Sequence, residues 1–132
     1  MGAWGTAAFD NDDAADWVYE LEKDGIAAVE AALKEALGPG ELEMPTDANA
    51  IAAGEVIAAA IGRPVDGLGE EVLALANTLA PSVTPEHAAR ARTAVERVLA
   101  GSEVAELWAE TEDDDEWRGL VEDLIRRLSP DA

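Results

Sequence analysis

Thr46-Asp-Ala-Asn-Ala-Ile-Ala-Ala-Gly-Glu-Val-Ile-Ala-Ala-Ala-Ile61 decides the fold. From Ala48 to Ile61 only Asn49 and Glu55 are polar, so a helix here has no face fit for water. A helix that is apolar almost all round belongs in the middle of a bundle. Thr46 or Asp47 starts it, Gly62-Arg-Pro64 ends it, and Gly54 offers a place where a neighbouring helix can come close.

The flanking segments supply partners for such a centre. Upstream, Ala14, Trp17, Val18 and Leu21 recur at helical spacing. Lys23-Asp24-Gly25 reads as a turn, and Ile26, Val29, Leu33 and Leu37 mark a second helix closed by Gly38-Pro39-Gly40. The short link makes these two an antiparallel hairpin, and Glu41 to Pro45 form a loop. Downstream, Val72, Leu75, Ala76 and Leu79 define a fourth helix stopped by Pro81. Thr84-Pro85-Glu86 starts a fifth with a cap, a proline at the first position and an acid in the first turn. Its inward stripe is Ala88, Ala91, Val95, Val98 and Leu99, leaving Arg90, Glu96 and Arg97 outside. Ser102 caps a short sixth helix carrying Leu107 and Trp108. After the acidic turn from Glu112 to Asp115, Trp117, Leu120, Val121, Leu124 and Leu128 share one face of the last. Nothing alternates with period two. The fold expected is all-α, a single compact bundle of six or seven helices spanning residues 10–128, with residues 1–9 as an extended N-terminal arm.

That arm, Met1-Gly-Ala-Trp-Gly-Thr-Ala-Ala-Phe9, leads into Asp10-Asn-Asp-Asp13. Asp10 is the expected cap, Asp13 the acid of a capping box, and Phe9 and Ala14 the staple pair. Asp12 and its acidic neighbours suit the positive end of the helix dipole. Trp4 is expected to lie on the core and fasten the arm, while Trp17, Trp108 and Trp117 fall on apolar stripes.

The pattern Met1-Gly-x-Trp-Gly-x-x-x-Phe-Asp-Asn-Asp-x-Ala-x-Asp-Trp17 resembles the start of bacterial proteins in domain-of-unknown-function family 4259. Ser102-Glu-Val-Ala-Glu-Leu-Trp108, Glu116-Trp-Arg118 and Val121-Glu-Asp-Leu124 resemble that family's C-terminal end. The likeness spans nearly the whole chain, with Ala7 departing from a glycine in the pattern. It implies a compact bacterial protein and transfers no activity.

Composition narrows the function classes. The 132 residues are 48% apolar, but 28 are alanine, so the core is close-packed helix with few bulky groups. No cysteine is present, which excludes disulfides and thiolate chemistry and suits the cytoplasm. No run approaches the ~20 apolar residues of a membrane span. The formal net charge of −20 divides as −10 over residues 1–50, −2 over 51–100 and −8 over 101–132. Such a charge repels nucleic acid and anionic membranes and favours a protein partner with a basic patch.

Candidate chemistry is sparse. Asp10 to Asp13 and residues 113–116 lack the glycine and glutamate of a calcium loop. Glu103 and Glu106 stand at i, i+3 without a matching pair. His87, the sole histidine, falls in a helix's first turn, where exposure is expected. Glu55 is the one acid in an apolar helix; it is either a buried acid of raised pKa or an ion pair with Arg90 or Arg92. No catalytic set, metal site or cofactor emerges. The expectation is a small acidic cytoplasmic protein working through protein–protein contact, of inhibitor or immunity type. The alternative is a divalent-metal-dependent hydrolase with carboxylates in an interhelical groove.

Overall fold

Residues 5–130 are described by a computed structural model. Among these residues, seven α-helices and one 3-10 turn follow in order: α1 Asp12–Asp24, α2 Ile26–Ala36, α3 Thr46–Ala60, α4 Glu70–Leu79, α5 Pro85–Ala100, α6 Glu103–Ala109 and α7 Asp114–Arg127, with the 3-10 turn Ala80–Ser82 after α4. Trp4 lies outside the described residues.

α3 occupies the centre that its composition demands. It is buried from Asp47 to Ala59 with the single exception of Asn49, and it touches every other helix, α5 most extensively. Alanines make this possible, because short side chains let several helices approach one axis. Gly54 marks the tightest crossing. A Cβ there would stand 3.0 Å from Val95 Cγ2 of α5 and 3.2 Å from Leu124 Cδ2 of α7, so the absence of a side chain sets the spacing of three helices.

The hairpin α1–α2 turns on one residue. Gly25 takes φ 60°, donates its N–H to Leu21 O at 2.9 Å and is at once the end of α1 and the start of α2. A positive φ suits glycine because other residues pay a steric cost there.

Three local expectations are corrected. The cap of α1 is Asn11, not Asp10: Asn11 Oδ1 accepts from Ala14 N at 2.8 Å while its Nδ2 donates to Ala8 O at 3.1 Å. An amide both accepts and donates, which an ionised aspartate cannot do. Moving the cap by one residue also takes Asp13 out of capping-box position and Phe9 and Ala14 out of staple register. Arg97 is not simply on the solvent face of α5. Its guanidinium donates to Ala36 O, Gly38 O and Gly40 O at 2.5, 2.6 and 2.7 Å, closing the C-terminal end of α2. His87 has a side chain only 14% exposed. Its Nδ1 accepts from Thr84 N at 2.9 Å, which makes it the reciprocal partner in the capping box of α5, and its Nε2 meets Glu30 Oε2 of α2 at 2.9 Å.

No helix among the described residues is long and apolar enough to cross a membrane.

Candidate functional site

Asp47 is fully buried at the start of α3, although the sequence presents it only as a helix-start acid. Its Oδ1 accepts from Ala48 N at 2.7 Å, and its Oδ2 reaches across to accept from Val104 N of α6 at 2.9 Å. The neighbouring contacts run both ways between the loop before α3 and the start of α6. Glu103 N donates to Leu42 O at 2.9 Å, and Met44 N donates to Glu103 Oε1 at 2.8 Å. Ser102 Oγ accepts from Ala105 N and donates to Val98 O. The free N–H groups at the start of α6 are thus taken up by the Leu42 carbonyl and by the Asp47 and Ser102 side chains, as a buried helix end requires. Burial pushes the Asp47 carboxyl above its ordinary value. The bonds from Val104 and Ala48 oppose that rise, and the charges of Glu103 and Asp13 add to it.

This clasp frames an apolar cavity of about 350 Å³ bounded by the arm, the first turn of α1, the start of α3, α6 and the first turns of α7. Ile51, Val104, Leu107, Trp108 and Trp117 supply its walls, Met44 stands at its edge, and Asn11, Asp12 and Asp13 contribute its polar part. No lysine, arginine or histidine among the described residues lines it.

Further along α3, in its second half, Glu55 is paired, but not with Arg90 or Arg92. Arg127 of α7 donates to both its oxygens, Nη1 to Oε1 at 2.8 Å and Nη2 to Oε2 at 3.0 Å. Arg127 also holds Asp123 Oδ2 at 2.7 Å and donates to Arg63 O, while Arg63 returns bonds to Arg127 O and Ser129 O. Burial alone would lower the Arg127 pKa. The bonds and charges of Glu55 and Asp123 outweigh it and leave that pKa above the usual arginine value.

The residues singled out in the sequence therefore separate. Asn11, Asp12, Trp108 and Trp117 meet at the apolar cavity. Phe9, Asp10 and Glu55 border a second depression, with Leu68, Val72 and Leu120. Trp17 is buried on α1, beside a crevice between α1 and α2. Asp47, Met44 and the reach of Glu103 were not readable as a unit. The only signal was an acid at a helix start, which points to its own helix rather than to α6. Among the described residues no three histidine, aspartate or glutamate side chains are placed to share an ion.

The glycines and Trp4 of the arm, the acids that follow it, the α1 cap and the two C-terminal tryptophans all fall in one stretch that a family model covers: residues 2–119 match the domain of unknown function DUF4259. The chain belongs to the DUF4259 family. The matched span takes in every residue lining the apolar cavity of this DUF4259 protein. No curated protein and no solved structure matches the chain significantly.

Proposed function

We propose that this DUF4259 protein is a non-enzymatic protein–protein interaction module of the cytoplasm, of inhibitor or immunity type, whose acidic surface receives a basic partner. The observation that supports this reading is how the chain uses its few cations. Of nine lysines and arginines, Arg63 and Arg97 are engaged by backbone carbonyls, and Arg92, Arg118, Arg126 and Arg127 by nearby carboxylates. The ion pairs among the described residues engage only Glu30, Glu55, Glu96, Asp114 and Asp123 out of a total of 29 acids. Most of the negative charge is left facing solvent, where it accelerates encounter with positive surfaces and is screened over about 8 Å at physiological salt.

Affinity capture from lysate at low and high salt tests the reading. Partners with basic patches, recovered at low salt and lost at high salt, are the expected result. Recovery of acidic or salt-insensitive partners, or a specific gel shift with DNA or RNA, would overturn it.

A further inference from the structure

We propose that the apolar cavity between α1, α3, α6 and α7 receives one bulky apolar side chain from a basic segment of the partner protein, with Asp12 and Asp13 holding the lysines or arginines that flank it. This rests on the interaction reading above and assigns it a place and an anchor.

Size comes first. At about 350 Å³ the cavity falls at the small end of the roughly 300–1,000 Å³ typical of ligand pockets. That is room for a single aromatic or branched aliphatic side chain rather than a large cofactor. Its walls are chemically suited to such a group. Trp108 and Trp117 back it from the core, 7% and 3% exposed, Leu107 is half-buried, and Met44 is 37% exposed at the edge. An exposed methionine beside an apolar recess is adaptable, because its unbranched thioether reshapes itself around different partners.

Charge then specifies what surrounds the anchor. Asp12 is exposed and Asp13 half-exposed, both line the cavity, and neither forms an ion pair among the described residues. Glu103 Oε1 accepts from the N–H of Met44 at the cavity's edge, which brings a third carboxylate to this side. A neutral apolar segment would satisfy the walls and leave the acids unanswered. A polybasic segment without an anchor would answer the acids and leave the walls wet. A buried anchor with a charged rim is the arrangement in which a few central residues carry most of the binding energy.

The test uses the pentapeptide Arg-Arg-Phe-Arg-Arg, blocked at both ends, added to the full chain and followed by tryptophan fluorescence and indole N–H resonances. Saturable binding should shift the Trp108 and Trp117 indole signals and leave that of Trp17 in place. Replacing the peptide's Phe by Ser should weaken binding at least tenfold, since burying such a side chain contributes more than the free energy of one tenfold step. Glutamates in place of the arginines should abolish it. Met44→Lys, at the 37% exposed edge position, should weaken it several-fold, and so should Leu107→Gln. Glu86→Lys, away from the cavity, should leave it within twofold. Equal and salt-sensitive binding of the Phe and Ser peptides would overturn the cavity while leaving the acidic-surface reading intact. No salt-sensitive binding by any peptide would overturn both. Blocked phenylalanine alone binding as tightly as the pentapeptide would make this a small-molecule pocket. Binding that appears only in Trp4→Ala would make the chain's own N-terminus the occupant. Either result sinks the proposal.

Discussion

Arg127 holds both carboxylate oxygens of Glu55 from 72 positions away in the chain, and in doing so joins the far end of α7 to the middle of α3. The Glu55 side chain is 5% exposed and that of Arg127 14%. Neither charge has enough water to fall back on if its partner is removed.

Arg127→Leu should therefore cost about 3–5 kcal/mol, because it strands a carboxylate in the bundle. Glu55→Gln should cost less, since Arg127 keeps Asp123 and Arg63 O. Urea unfolding of the two variants checks the order. Equal losses would mean that Asp123 contributes nothing to holding the arginine.

Gly54 sets two tendencies against each other. Alanine is favoured over glycine inside a helix by about 1 kcal/mol. The added carbon would crowd Val95 Cγ2 at 3.0 Å and Leu124 Cδ2 at 3.2 Å, and overpacking a close-packed core costs about 1–3 kcal/mol. Gly54→Ala should be destabilising on balance and Gly54→Val severely so. Combining Gly54→Ala with Val95→Ala should be less damaging than the separate losses added together, and a double-mutant cycle reads that coupling.

Asp47 makes the clasp sensitive to pH in an unusual direction for an acid. Its pKa in the folded chain lies above the ordinary 3.8, so the native state binds its proton more readily than the unfolded one. The stability this group contributes is complete below the unfolded pKa and is lost as pH rises through the folded pKa. Acidification through that window should thus favour wild type over Asp47→Asn, and denaturation of both at several pH values measures the widening gap. A constant gap would contradict the shifted carboxyl. Asp47→Ala should cost about 1–3 kcal/mol or more at any pH, because it leaves the Val104 N–H without its acceptor.

Calcium, magnesium or zinc should produce no saturable, ion-selective rise in melting temperature, since a bound ligand stabilises in proportion to its occupancy. A selective rise abolished by Asp12→Asn or Glu106→Gln would instead support the divalent-metal hydrolase.

The helices were legible because their evidence is local. The run from Ala48 to Ile61 places α3 at the centre, Thr84-Pro85 starts α5, and Gly25 breaks the hairpin, each from a few adjacent residues. The relation of Glu55 to Arg127, of Asp47 to Val104 and of Arg97 to Gly40 was not legible. Those pairs depend on how α7, α6 and α2 are rotated about α3, and periodicity tells which face is buried but not which neighbour it meets. Asn11 was missed for a smaller reason. A run of Asp-Asn-Asp-Asp offers several acceptors, and only the backward bond from its amide to Ala8 O singles out one.

The connector from Gly62 to Gly69 joins α3 to α4 by a largely exposed path, with Gly62 and Gly67 at positive φ. α3 nonetheless makes its broadest contact with α5, on the other side of that connector. A single peptide-bond cut there would sever the covalent link without separating the surfaces. The two fragments should co-elute as one particle and reassociate after separate denaturation.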